Sequence, residues 1–167
     1  MSEVRNWATH REAKAEKLSS VASLLTGKLA KTSDAKAILE NLIAPGDKVV
    51  LEGDNQKQAS FLSKVLASVD PARVHDLHMI MSSISRPEHL DIFEDGIASK
   101  MDFSFAGPQS TRVSQMIADG SLQVGDIHTY LELYARMFVD LIPNVVLVAA
   151  DKVDRDGNLY TGNNTEE

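Results

Sequence analysis

Short apolar runs alternate with amphipathic segments from residue 48 onward, and this alternation limits the possible folds more than any other feature. Strands of this kind pair in parallel through right-handed crossovers when helices separate them. The runs that predict buried strands are KVVLEG, RVHDLHMIM, MDFSFAG and NVVLVAADKVD. The segments with helical spacing are QASFLSKVLASV, RPEHLDIFEDGIA and STRVSQMIADG. The predicted fold is therefore α/β, with a mostly parallel sheet flanked by helices.

The ends of the chain have a different pattern. Before residue 46 the sequence predicts a helix over 3–25 with Gly27 as its stop, and a second helix that begins near Ser33 and breaks at Pro45-Gly46. Segment 124–141 begins as a strand and turns helical by about residue 131. The later stretch DRDGNLYTG predicts a tight turn and a short return strand.

These patterns divide the chain into a helical extension over residues 1–45 and one α/β domain over residues 46–167. The domain ends in TGNNTEE, without a helix to cover the last strand. Natural domains usually protect the exposed edge of a sheet. We therefore expect this α/β domain to be incomplete by itself, or to need a partner.

Composition excludes several classes of protein. The net charge of -7 argues against a nucleic-acid partner, because sites for the phosphate backbone collect Lys and Arg. The chain has no cysteine, which excludes disulfides, thiolate metal sites and a cysteine nucleophile. The longest apolar run, 145–150, is too short to cross a bilayer, and the first residues lack the pattern of a signal peptide. We expect a cytoplasmic protein without a membrane partner.

A polar stretch with a glycine, GDNQKQ, follows the first predicted strand. Ligands of open α/β sheets bind outside the carboxyl ends of the strands. There, Gly53 allows a close approach, and the N–H groups that begin the next helix can bind a carboxylate or an oxyanion. A structural interpretation stays open, because Asn55 and Gln58 also fit a helix N-cap and its reciprocal partner. No dinucleotide or triphosphate motif is present.

A second stretch, DFSFAGPQST, has the same construction. Its strand is followed by Gly107-Pro108 and then by a helix that Ser110 or Thr111 is predicted to cap. Two strand ends of this kind could face one crevice and form its two walls. A stretch of this kind taken alone is more often a connecting loop than a binding site.

The histidines do not have the spacing of a metal site. His75 and His78 lie three residues apart, which places them on opposite faces of a strand. His89 and His128 have no acidic or thiol partner at ligand spacing, so we predict no metal site. Arg86 lies at a strand-to-helix junction, where its guanidinium could bind a carboxylate through two hydrogen bonds. A surface arginine is the alternative.

Four blocks of the sequence are specific in combination. The blocks are GDKVVLEGDNQKQASFLSK, DPARVHDLHMIMSSISRPEHLDIFE, DFSFAGPQS and IHTYLELYARMFVDLIPNVVLVAADKVDRDGNLYTGNNTE. Taken together, they resemble the malonate decarboxylase α subunit family of the coenzyme A transferase superfamily. The resemblance covers nearly the whole chain but only the N-terminal part of the longer family subunit.

The resemblance implies an acyl exchange on the thiol of an acyl carrier protein: acetyl-carrier and malonate give malonyl-carrier and acetate. It implies no directly bound cofactor, because the thiol belongs to a coenzyme-A-like prosthetic group on the carrier subunit. The implied partners are the carrier subunit and decarboxylase subunits in a hetero-oligomer. Two alternatives are a non-catalytic half-site that binds partner subunits, and a citrate-lyase-type acyl carrier transferase.

Such an enzyme must orient a carboxylate against a thioester and stabilise the oxyanion that forms. The residues predicted to cradle the oxyanion or carboxylate are Gly53, Asn55 and Gln56. Those predicted to form the second wall, with a cation for the far carboxylate of malonate, are Gly107, Pro108, Gln109 and Arg86. Some coenzyme A transferases use a glutamate nucleophile from a second half that is absent here. We therefore favour a mixed-anhydride route, in which Glu52 is not assigned as the nucleophile.

Overall fold

A computed structural model of the chain describes residues 7–53 and 59–161. The helices are α1 (Trp7–Ser20), α2 (Ala35–Leu42), α3 (Ser60–Ala67), α4 (Asp91–Glu94), α5 (Ser110–Asp119) and α6 (Tyr130–Val139). The strands are β1 (Leu25–Thr26), β2 (Leu29–Ala30), β3 (Lys48–Leu51), β4 (Leu77–Ser83), β5 (Ala98–Phe105), β6 (Gln123–Ile127), β7 (Val145–Leu147), β8 (Lys152–Val153) and β9 (Leu159–Tyr160). None of these described helices combines the length and apolar character needed to cross a bilayer.

Five strands form one parallel sheet in the order β6-β5-β4-β3-β7. The predicted α/β class with a parallel sheet is confirmed. The chain steps from β3 outward to β6 and then returns through α6 to place β7 on the other side of β3. Two antiparallel hairpins, β1–β2 and β8–β9, lie outside this sheet, and the second is the predicted return strand.

The sheet is apolar on both faces, as parallel sheets usually are. Successive side chains of a strand point to opposite faces. On β4, Met79 and Met81 belong to the main core, whereas Ile80 belongs to a second cluster with Leu133 of α6. The main core also contains residues of α2, α3, α4 and α5: Leu39, Leu66, Ile92, Phe93, Val113 and Met116. Helix α6 therefore covers one face of the sheet, and these four helices cover the other.

Two helix predictions are wrong in extent. Helix α1 ends at Ser20, and Gly27 lies with φ +65° in the turn of the β1–β2 hairpin instead of stopping a helix. Over 86–98 the structure has only a 3-10 turn and the single turn α4, because Ile97 is fully buried and the chain already enters β5 at Ala98. Tertiary burial outweighs the local helical pattern in this segment.

The remaining predicted helices and strands are present with shifted bounds, and one predicted cap is wrong. Helix α5 ends at left-handed Gly120, and 124–141 is a strand followed by a helix, as predicted. The segment NVVLVAADKVD forms two separate short strands, β7 and β8, instead of one. Neither Ser110 nor Thr111 caps α5, because a 3-10 turn over Gly107–Gln109 leads directly into it. The division at residue 45 stays a prediction.

Candidate active site

The predicted site segments follow three neighbouring strands of the sheet. Gly53 comes after β3, Arg86 after β4, and Gly107–Gln109 after β5. In a parallel sheet these positions share the carboxyl edge, so Gly53 and Gly107 lie on the same edge with only β4 between them. Their predicted roles toward a substrate stay a prediction.

The other predicted cradle residues, Asn55 and Gln56, lie outside the described residues. The helix that follows them begins at Ser60, and its N-cap position is occupied by Ala59 without a side-chain hydrogen bond. The open interpretation of Asn55 as a helix N-cap concerns a residue outside the described part of the chain. The backbone N–H of Ala59 donates to the carbonyl of Glu52 at 3.2 Å, which brings the start of α3 back to the end of β3.

Gly53 has a packing reason to be glycine. A Cβ atom at this position would lie 1.9 Å from the carbonyl oxygen of Ser83 and 3.3 Å from Nδ1 of His89. The end of β3 thus approaches the end of β4 more closely than any side chain permits. The sequence predicts that a ligand approaches this glycine, whereas the structure shows an approach of backbone to backbone.

Buried polar atoms without a hydrogen-bond partner gather at the same edge. Four residues carry these atoms in the described part of the chain: Ser82, His89, Ser104 and His128. Ser82 and Ser104 lie near the ends of β4 and β5, and the two histidines lie just beyond β4 and β6. An unpaired buried polar group costs about 1–3 kcal/mol, so native proteins keep few of them. Their location makes the carboxyl edge the candidate site.

His89 is the candidate that spacing did not reveal. It is fully buried in the 3-10 turn after β4, and both ring nitrogens lack a partner among the described residues. Burial lowers the pKa of its imidazole to about 4, so the ring is neutral near pH 7. A neutral imidazole has one N–H donor and one acceptor nitrogen. Its position directly after a strand end was the signal available in the sequence.

Arg112 of α5 fixes the turn that carries His89. Its guanidinium donates to the carbonyl oxygen of Pro87 at 2.6 Å and to the carboxylates of Asp91 at 2.8 Å and Glu94 at 3.0 Å. The hydrogen bond to Glu94, and then that to Asp91, raises the pKa of Arg112. These contacts join α4, α5 and the His89 turn on one face of the sheet.

Glu52 joins the ends of β3 and β7. This residue is 1% exposed, and its Oε2 accepts a hydrogen bond of 2.6 Å from the backbone N–H of Ala149. The backbone N–H of Glu52 in turn donates to the carbonyl of Leu147 at 3.0 Å. The carboxylate therefore has a structural partner at the point where the order of strands reverses.

A buried carboxylate between two imidazoles is a second feature that spacing did not reveal. Asp102 Oδ1 lies 2.7 Å from Nε2 of His128, and Oδ2 is hydrogen-bonded to Nε2 of His78. The prediction for His128 considered only acidic partners at ligand spacing and did not include Asp102, which is 26 residues away in sequence and adjacent only in the folded sheet. Within residues 7–53 and 59–161, no group of three or more acidic or histidine side chains could hold a metal ion.

Comparison with known proteins gives a family match over almost the whole chain. Residues 6–167 match the family described as "Malonate decarboxylase, alpha subunit, transporter". The chain is 49% identical over 140 residues to an acetyl-S-ACP:malonate ACP transferase of Malonomonas rubra. That match covers 84% of this chain and 25% of the relative.

Two solved structures have the same fold. A Pseudomonas malonate decarboxylase hetero-tetramer in complex with malonate contains a chain that is 60% identical, with a TM-score of 0.90. The match covers 93% of this chain and 28% of that one. A malonate decarboxylase α subunit from Acinetobacter baumannii is also 60% identical with a TM-score of 0.90, and the match covers 95% and 29% of the two chains. The chain thus spans between a quarter and a third of the length of these relatives.

Proposed function

Because the chain belongs to the malonate decarboxylase α subunit family, we propose that it supplies part of an acyl carrier protein transferase. In this proposal the enzyme exchanges acetyl for malonyl on the thiol of a carrier, so that acetyl-carrier and malonate give malonyl-carrier and acetate. The name of the Malonomonas rubra relative supports the reaction. The observation that carries the proposal in this chain is the group of buried, unpaired polar atoms at the carboxyl edge.

The chemistry of the exchange suits such an edge. One thioester and one carboxylate are converted into another such pair, so the free energies of reactants and products are nearly equal. The enzyme must hold the carboxylate against the thioester carbonyl and stabilise the developing oxyanion, which preorganised donors do well away from water. A neutral His89 beside Gly53 is a donor of this kind. The sulfur arrives on the carrier, so the chain needs no cysteine of its own.

The proposal assigns roles to the segments after β3, β4 and β5. The segment after β3, with Gly53, Asn55 and Gln56, cradles the oxyanion or the reacting carboxylate. The segment after β5 forms the opposite wall through Gly107, Pro108 and Gln109. Arg86, after β4, binds the far carboxylate of malonate, which acetate lacks.

The proposed partners are an acyl carrier protein and the decarboxylase subunits of a hetero-oligomer. The carrier brings a coenzyme-A-like prosthetic group as substrate, and the chain binds no cofactor directly. The hetero-tetrameric Pseudomonas malonate decarboxylase, which contains a similar chain, supports an assembly of this kind.

Incubation with acetyl-carrier and isotopically labelled malonate tests the reaction. We expect labelled malonyl-carrier and released acetate from a subunit of the relatives' full length that contains this chain. Labelled citrate in place of malonate is the control for a citrate-lyase-type transferase. If neither acid is transferred, the transferase proposal is wrong.

Arg86 is expected to distinguish malonate from acetate. Replacing it by glutamine is expected to raise KM for malonate roughly tenfold and leave KM for acetate in the reverse reaction unchanged, because a charge-assisted hydrogen bond contributes about 1.5–3 kcal/mol. Arg155, exposed in the β8–β9 turn, gives the matched Arg→Gln control. Equal changes in both KM values would contradict the role of Arg86.

A second candidate function is a non-catalytic half-site that binds partner subunits. The outer side of α6 favours it, because Leu131 is 84% exposed and Phe138 is 80% exposed. Native mass spectrometry of the chain with the other subunits distinguishes the two candidates when combined with the exchange assay. Stable association without exchange, even at full length, would favour the half-site.

A further inference from the structure

Asp102 is the centre of a buried network that spans three elements of the fold. It lies on β5 with 2% exposure and accepts hydrogen bonds from His78 on β4 and from His128 in the connection between β6 and α6. The backbone N–H of His128 also donates to the carbonyl of Phe103 at 2.9 Å, so ring and backbone are both held against β5. This network lies on the sheet face that α6 covers.

The chain leaves room for this carboxylate by means of a glycine. A Cβ atom at Gly125 of β6 would lie 2.1 Å from Oδ2 and 2.8 Å from Cγ of Asp102. The β5–β6 register shifts between Met101 and Phe103, next to the same carboxylate. Any side chain at position 125 would displace Asp102, so the backbone of the edge strand is fitted to the network.

The hydrogen bonds determine which nitrogens carry protons. An ionised carboxylate only accepts, so Nε2 of His128 and Nε2 of His78 both carry hydrogens. The other nitrogen of His128, Nδ1, is buried and has no hydrogen-bond partner among the described residues. Its closest acidic atom is Oε1 of Glu132, at 3.6 Å on the first turn of α6. The neutral His128 ring therefore has its lone pair on Nδ1.

This nitrogen belongs to the polar group at the carboxyl edge. The β4–β5 register pairs Met81 with Phe103 and Ser83 with Phe105, which places Ser82 beside Ser104. Both serines share the sheet face of Asp102 by the two-residue period of a strand, and both hydroxyls are unpaired among the residues described. Two hydroxyl groups and one imidazole nitrogen thus lie along the ends of β4, β5 and β6.

We infer that Asp102 is a positioning residue of the proposed transferase site, because it holds His128 as the Nε2–H tautomer with Nδ1 ready to accept the proton of a carrier thiol. This inference rests on the proposed function. A base oriented by a third group is the usual arrangement for activating a nucleophile. In the first half of the exchange, malonate attacks the acetyl carbon of the thioester, a C–O bond forms, the C–S bond breaks, and the leaving sulfur takes a proton from Nδ1. In the second half the thiol attacks the malonyl carbon of the mixed anhydride: the S–H bond breaks, an N–H bond forms at Nδ1, a C–S bond forms, and the anhydride C–O bond breaks to release acetate, so the exchange has no net proton change.

The groups around His128 suit this role. Once protonated at Nδ1, the imidazolium would lie between the carboxylates of Asp102 and Glu132, which both stabilise its charge. The His128 ring is fully buried, so a thiol reaches Nδ1 only after neighbouring side chains such as the exposed Glu132 of α6 turn toward solvent. Burial, its largest influence, lowers the pKa of the His78 ring despite the hydrogen bond to Asp102.

Nitrogen-15 NMR of the wild-type chain tests the tautomer without any need for activity. We expect His128 with a hydrogen on Nε2 and none on Nδ1, and Asp102→Asn should change this pattern. A wild-type hydrogen on Nδ1 of the neutral ring would overturn the inference. If the full-length subunit shows no acyl exchange, the proposed function fails, whereas this measurement still decides what Asp102 does to the ring.

The exchange rate gives the second readout. Asp102→Asn is expected to lower kcat at least about 100-fold while KM for malonate changes less than about threefold, because proton transfer is lost and binding is kept. His128→Gln should give a similar loss of kcat, and this variant replaces Asp102→Asn as the test if Asp102→Asn does not fold. His75→Gln is the matched control, because the ring of His75 pairs with Asp76 before β4, outside the network, and its replacement should change kcat less than about fivefold. Wild-type kcat in a folded Asp102→Asn or His128→Gln protein would overturn the inference.

Discussion

Replacing Gly53 by alanine is expected to lower the free energy of unfolding by about 3 kcal/mol, near the upper end for an overpacked site. The new Cβ would lie 1.9 Å from the carbonyl oxygen of Ser83. That oxygen belongs to the backbone of β4 and cannot rotate away, so two central strands must separate. Urea unfolding followed by circular dichroism measures the loss as a lower midpoint.

Gly96→Ala is the matched control for this substitution. Position 96 has no heavy atom within 4 Å of the new Cβ, and its φ of +73° is the source of strain. A left-handed residue other than glycine costs about 1–2 kcal/mol. A Gly53→Ala protein as stable as Gly96→Ala would show that the strand ends can move apart, and would contradict the packing reason for this glycine.

The stability of the chain is expected to fall as the pH decreases from about 6.5 to 4. The pKa of His89 is about 4 in the folded chain, against 6.5 for an unburied histidine, so the unfolded chain binds the proton more tightly. The contribution is complete above pH 6.5 and is lost as the pH falls toward 4. The shift corresponds to about 3 kcal/mol for this one group. The lowered pKa of His78 acts in the same direction.

Urea unfolding of wild type and His89→Leu across this range isolates the contribution of His89. The variant keeps an apolar volume of similar size and has no proton to gain, so its stability should depend less on pH. The difference between the two proteins is the measured quantity, because carboxylates titrate in both. Parallel pH curves would mean that the imidazole of His89 is protonated as easily in the folded chain as in the unfolded one.

The fold was predictable because each strand has a sequence pattern that identifies it as a buried strand. A buried parallel strand such as β4 is a continuous apolar run between turn residues, and this pattern needs no knowledge of its neighbours. The helix predicted over 86–98 was wrong for the opposite reason. Its helical pattern is local, but the burial of Ile97 and the start of β5 are set by packing. Helix α4 is therefore a single turn.

The candidate site was predictable only as an edge of the sheet. Glycines and polar residues after β3 and β5 indicated the edge, and the structure brings Gly53 and Gly107 to it. The contacts of His89 with Gly53 and of Asp102 with two histidines depend on which strands are neighbours and on their register. The spacing of residues along the sequence shows neither the order of the strands nor their register, and these partners come from separate strands. His128 and Asp102 are 26 residues apart, so no local sequence pattern indicates their hydrogen bond.

The position of β3 between β4 and β7 has a consequence for synthesis on the ribosome. The hydrogen bond from Ala149 to Glu52 joins residues that are 97 apart in sequence. A nascent chain therefore emerges with one side of β3 uncovered until residues 145–149 have left the exit tunnel. Pairing across so long a separation is slow, and an unpaired strand edge invites aggregation in the meantime. Chaperone contacts during translation should accordingly fall on β3.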